Sequence, residues 1–143
     1  MVAPTPPTLR TIIRSQHLRI EYTDEEMTLL FTATRDFVPE DEFREMLHSL
    51  QSFVRTHAVR KIIFDQRHLR YFHHRTQEWF QCNWQPRMAR FGLTTYCYLL
   101  PNDVGFRLEA DRCGTALRRD YPPLIFRDVQ AHECQSLLEA MER

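Results

Sequence analysis

A short apolar run, Ile62-Ile63-Phe64, stops at Asp65, and a polar, cation-rich connection follows before a helical pattern opens near Thr76. A run this short that is apolar on both faces is what a central strand covered on both sides requires. The stretch 60–84, RKIIFDQRHLRYFHHRTQEWFQCNW, therefore reads as buried strand, loop and helix start, in that order. Open α/β folds gather their functional groups at the carboxyl ends of such strands. This segment constrains the class of fold and marks where a site belongs.

The rest of the chain falls into place around it. Leu18, Ile20 and Tyr22 alternate with Arg19 and Glu21, the pattern of a half-buried strand. Thr23-Asp24-Glu25-Glu26 reads as a turn, and 27–34 as a second strand with Met27, Leu29, Phe31 and Ala33 on one face, which makes an antiparallel hairpin. A long helix opens after Pro39, with Glu40, Asp41 and Glu42 complementing its positive end. Its apolar stripe runs through Phe43, Met46, Leu47, Leu50, Phe53 and Val54, and it ends near His57. The strand 59–65 is followed by a helix carrying Trp79, Phe80, Trp84 and Met88, where Pro86 predicts a kink or a break and Gly92 a C-terminal cap. A fourth strand, 94–100, leads to a helix capped by Asp103 with Phe106, Ala110, Cys113 and Leu117 inside. After Pro122-Pro123, Leu124-Ile125-Phe126 reads as a fifth strand and Asp128 as the cap of a last helix with Cys134, Leu137, Leu138 and Met141 facing in. The expected order is β-β-α-β-α-β-α-β-α, a mixed five-stranded α/β sheet flanked by helices, with an antiparallel N-terminal hairpin and a parallel remainder. Residues 1–10 form a Pro-rich leader and 11–143 one domain.

Lys plus Arg and Asp plus Glu are both 19, so the formal net charge is zero. That argues against a nucleic-acid binder working through bulk charge and leaves little repulsion against self-association, expected as a homodimer. No stretch approaches the ~20 apolar residues of a membrane helix, and no signal peptide opens the chain, so the expectation is a cytoplasmic protein without membrane insertion. Cys82, Cys97, Cys113 and Cys134 are widely spaced with no C-x-x-C pair, which fits buried thiols in a reducing compartment.

The element order over 11–143 resembles the STAS/SpoIIAA-like family of small bacterial domains, which is related in fold to the lipid-binding CRAL-TRIO domains. Local patterns carry the same resemblance: IIFD followed by a polar connection and Trp79; Pro86 before Phe91-Gly92-Leu93 and a buried strand ending at Pro101; and Phe126-Arg127-Asp128 feeding an apolar helix. The resemblance implies a non-enzymatic regulatory or ligand-binding module. The phosphorylatable Asp-Ser motif of the anti-sigma antagonist branch is absent here; the nearest hydroxyl is Thr76, whose simpler role is a helix N-cap.

The candidate residues cluster in the loop and helix at 66–84. Asp65, Arg67, His68, Arg70, His73, His74, Arg75 and Thr76 read either as an anion or carboxylate site, with cations meeting free N–H groups at the helix start, or as a solvated basic loop. Trp79 and Trp84 are the candidates for a partner surface or a dimer face. His73-His74 lacks the i, i+4 spacing of a metal helix, the three glycines build no phosphate loop, and no catalytic constellation is complete, so no metal, cofactor or catalytic residue is expected. Three functions remain open. A STAS-like module binding a protein partner or itself predicts an exposed aromatic patch. A carrier of a small apolar or anionic ligand predicts an enclosed cavity between the helix at 76–90 and the sheet. An enzyme using the His/Arg cluster, a hydrolase or transferase, predicts a histidine held by a carboxylate such as Asp65.

Overall fold

Six strands order themselves in the sheet as they occur in the chain, β1 to β6, in a computed structural model that describes residues 8–143. The strands are β1 Arg10–Arg14, β2 Leu18–Thr23, β3 Thr28–Ala33, β4 Lys61–Asp65, β5 Thr95–Leu99 and β6 Gln130–Glu133. The first three are antiparallel, and β3 to β6 run parallel. The mixed α/β sheet with its antiparallel beginning is thus as expected, with one strand more.

That extra strand is β1. Its two adjacent isoleucines, Ile12 and Ile13, break the alternation that would reveal it, because a bulge between Thr11 and Ile13 interrupts its register with β2. Arg10, counted with the leader by its position in the sequence, belongs to the sheet; residues 1–7 lie outside the described ones.

The other end of the sheet departs further. Leu124-Ile125-Phe126 is not a strand but part of a single 3₁₀ turn, Pro123–Phe126. Pro122 and Pro123 restrict the backbone, and the turn buries no residue. The strand comes later, as the polar edge β6, whose sequence QAHE gives no apolar signal. Asp128 therefore caps nothing. The last helix, α5 Leu137–Glu142, is capped by Ser136, whose Oγ accepts from the Glu139 N–H at 3.1 Å, while the Glu139 carboxylate accepts from the Gln135 N–H at 2.7 Å. Cys134, Leu137 and Met141 face in as expected, but Leu138 is 70% exposed.

Helix α1, Glu40–His57, buries the stripe Phe43, Met46, Leu47, Leu50 and Val54 and ends on Ala58, a non-glycine residue at φ 51°. The next helical stretch is continuous but not uniform: α2 His74–Trp79, a π-helical turn Phe80–Trp84, then α3 Gln85–Ala89. The π turn sits just before Pro86. A proline ring clashes with the carbonyl four residues back in a regular α-helix, and the wider turn relieves that clash. The expected break is a bulge. Gly92, at φ 94°, then closes the helix: its N–H reaches the Ala89 carbonyl and the Leu93 N–H reaches Met88, the paired bonds of a Schellman ending. Helix α4, Val104–Asp120, starts on Asp103, whose carboxylate accepts from the Phe106 N–H at 3.0 Å.

The two faces of the sheet carry separate cores. Ile20, Tyr22, Leu29, Phe31, Ile62, Phe64 and Tyr96 pack beneath α1, the π turn and α3, meeting Leu47, Leu50, Phe80, Trp84 and Met88. On the opposite face Leu30, Ile63, Cys97 and Leu99 meet Cys134 and Ala140. There Lys61 Nζ donates to the Ala140 and Met141 carbonyls at 2.8 and 2.9 Å. These last-turn carbonyls of α5 have no partner within the helix, and a cation there also complements the helix dipole. Burial lowers the Lys61 ammonium from its ordinary value.

Candidate functional site

Two loops leave the carboxyl ends of neighbouring parallel strands. The 34–39 loop leads from β3 to α1, and the 66–73 loop leads from β4 to α2. They are tied together by the Arg70 N–H, which donates to the Asp36 carbonyl at 2.8 Å, while the Gln66 N–H reaches across to Leu99 on β5 at 2.9 Å. Between the loops lies a cavity of about 430 Å³. Phe31, Phe43, Phe64 and Phe106 supply its apolar wall; Asp65, Gln66, His73, Thr76 and Gln77 supply its polar groups. Phe37 and Tyr71 also line it and are 46% and 66% exposed. A volume in this range, mostly apolar walls and a few convergent polar groups are the ordinary features of a small-molecule pocket.

Asp65 is 7% exposed. Its Oδ1 accepts from Arg67 Nε at 2.9 Å and from the Arg67 N–H at 3.2 Å, and its Oδ2 accepts from Arg67 Nη2 at 2.8 Å. Burial pushes the carboxyl up, but the hydrogen bonds and charge of Arg67 outweigh it and hold Asp65 below the usual carboxylate value. The pair is a forked ion pair that consumes both charges, so no histidine is held by Asp65. The histidine–carboxylate contacts lie elsewhere: His74 Nε2 with Glu109 at 2.8 Å, which ties α2 to α4, and His17 Nδ1 with Glu42 at 3.1 Å, which ties the start of β2 to α1.

The N-cap of α2 is His73, not Thr76. Its Nδ1 accepts from the Thr76 N–H at 3.1 Å and lies 2.6 Å from the Thr76 hydroxyl. Thr76 sits one turn inside, buried.

The structure separates the remaining candidates. His68, Arg70 and Arg75 are exposed. Arg75 faces a different groove, shared with Arg44 and Trp79. No lysine or arginine lines the cavity, so the arginines of the basic cluster do not converge on it. Trp79 is half-buried, with the Arg44 guanidinium 4.9 Å from its ring centroid. Trp84 is 0% exposed, stacks on Phe80 and donates from Nε1 to the Leu47 carbonyl at 3.3 Å. It is core, and the expectation that it offers a partner surface is corrected. The space directly beneath the helix at 76–90 is filled on its α1 side by Phe80, Trp84 and Met88. The cavity lies beside the helix start instead.

A second cavity, of about 470 Å³, lies between the α2–α3 stretch, α4 and the sheet, where Tyr98 of β5 and Ala131 and Glu133 of β6 line it. One wall is a row of glutamines, Gln77, Gln81 and Gln85, in which Gln81 Nε2 donates to Gln77 and Gln85 Nε2 donates to the Tyr98 hydroxyl at 3.1 Å. Gln66, Phe72 and Gln77 line both cavities. Sequence reasoning missed these three residues and Phe37. Only the neighbouring aromatics Tyr71-Phe72 gave a signal. Among the described residues no group of three His, Cys, Asp or Glu side chains is placed to hold a metal ion, and no helix is long and apolar enough to cross a membrane. In comparisons with known proteins the chain matches no family model, no curated protein and no solved structure.

Proposed function

We propose that this protein is a non-enzymatic, STAS-like module that binds a small, predominantly apolar and uncharged molecule in the cavity between the β3–α1 and β4–α2 loops. The cavity carries the reading: its wall is aromatic, and its two carboxylates are already neutralised, Asp65 by Arg67 and Glu40 by Arg44 at 3.0 Å. An anionic ligand would enter without a cation to meet it, and a desolvated unpaired charge is costly. A neutral ligand meets apolar area plus the Gln66 and Gln77 amides. Asp65, locked in its ion pair, is poorly placed to act as a general base.

Titration with Nile red, a neutral apolar dye, tests this reading. The wild type should enhance its fluorescence saturably. Ala33→Leu, which adds bulk to the buried cavity wall, should weaken binding about tenfold with unchanged circular dichroism. Equal binding by both proteins places the dye elsewhere and removes the reading.

The exposure of Phe37 and Tyr71 favours a second reading, in which the mouth of the cavity docks a protein partner or a second copy of the chain. Light scattering on the wild type and Tyr71→Ala separates the two. A dimer that the substitution dissolves supports docking, and a monomer in both cases removes self-association.

A further inference from the structure

The two cavities are neighbours, and the geometry points to Phe72 as the residue that sets the length of ligand the site accepts, by standing as a partition between them. This inference rests on the ligand-binding reading above and extends it. Phe72 lines both spaces, as do Gln66 and Gln77. The ring is only half-buried, and it is held edge-on against Phe106 of α4, centroids 5.5 Å apart, and against His74, 4.9 Å apart. No hydrogen bond anchors an aromatic hydrocarbon, so this partition is held by packing alone. Gln66 and Gln77 leave an uncharged, hydrogen-bonding margin around it.

The chemistry on either side suits one elongated molecule. The first cavity is walled by phenylalanines and has no unpaired charge. The second offers the amide row Gln77, Gln81 and Gln85 with the Tyr98 hydroxyl, and is lined as well by Arg107, which pairs with Glu133, and by Asp111 and Arg118. An amphiphile with an alkyl part and a hydrogen-bonding hydroxyl or amide end matches that sequence of surfaces. With the Phe72 ring in place, such a ligand is confined to one cavity. With the ring cut back, its alkyl part can pass from one to the other.

The experiment uses the full chain and the n-alkanols from hexanol to dodecanol, read by displacement of Nile red. On the wild type, affinity should rise by about fourfold per added methylene, the contribution of one buried CH₂ group, and then reach a plateau. Phe72→Ala should carry the rise to longer alcohols before the plateau, and Phe72→Trp should bring the plateau earlier. Phe72→Leu guards against a folding defect in the alanine variant, since it keeps an apolar contact with Phe106 and should shift the plateau in the same direction by less. A plateau at the same chain length in the wild type and in all folded variants overturns the partition while leaving the site intact. Failure of every alkanol to displace the dye from the wild type overturns the ligand-binding reading, and the partition with it.

Discussion

The two faces of the sheet are closed by different means. One face lies beneath α1, the π turn and α3 and is filled with large side chains: Phe31, Phe43, Phe64, Phe80, Trp84 and Tyr96. The other has a small core around Leu30, Ile63, Cys97 and Leu99, closed by α5, a helix of six residues. So short a helix is marginal by itself. It is held at one end by the Ser136 cap and at the other by Lys61. The first face is secured by apolar area, the second by a few placed polar groups. Area resists local opening, whereas a polar clamp can be released one group at a time.

The largest test of this contrast is Trp84→Ala. It removes the biggest fully buried side chain together with its bond to Leu47, and should cost about 3–5 kcal/mol, read as a drop in the urea midpoint of the whole chain. Next comes Lys61→Met, which keeps the apolar stem and strips the clamp from the Ala140 and Met141 carbonyls. A cost of about 1–3 kcal/mol is expected. Amide exchange should quicken in α5 while α1 stays protected. Equal acceleration in both helices would mean that the two faces open as one unit, and the contrast would be broken.

A smaller effect concerns the far end of β4, where Asp65 lies on the same alternation as Lys61 and Ile63. Its folded-state value is depressed, so the stability it contributes is present above the ordinary carboxylate value of 3.8 and is lost as pH falls through the depressed one. Arg67 is half open to solvent, which holds the pair to under about 1 kcal/mol. Acid unfolding should be less steep below pH 3.8 in Asp65→Asn than in the wild type. The smallest change sharpens the first face. Ala58 ends α1 in the left-handed region, and Ala58→Gly should raise stability by roughly 0.5–1 kcal/mol in thermal denaturation, the relief of φ 51° less the entropy glycine adds to the unfolded chain.

The apolar face was the legible one. Its residues recur at strand and helix spacing, so Phe43 to Val54, the run Ile62 to Phe64 and the stripe through Phe80, Trp84 and Met88 announce themselves. The edges were not legible, for opposite reasons. The bulge in β1 sets two isoleucines side by side, and β6 is an exposed strand with little to bury. The run Leu124 to Phe126, apolar enough to mislead, turns out at the surface because two prolines precede it. The cavity was only half legible. Asp65, His73 and Thr76 do meet there, at the end of β4 where a site belongs. Their partners come from distant segments, Phe37 before α1 and Phe106 within α4, and no local spacing records such a meeting. Charge was the poorest guide: Arg67 turns back on Asp65, His74 reaches for Glu109, and Arg75 faces away.

The strictly sequential order of the strands has a consequence for how the chain is made. Each strand pairs with the one synthesised just before it, so the sheet can grow by addition at one edge as the polypeptide leaves the ribosome, with no gap kept open for a later arrival. Pairings between near neighbours in sequence are also those that form fastest. The exception is α5: the apolar side chains of Leu30, Ile63 and Cys97 wait uncovered until residues 137–142 have been made. During that interval the nascent sheet has one finished surface and one bare one, and the bare one is where a chaperone or a misplaced neighbour would bind.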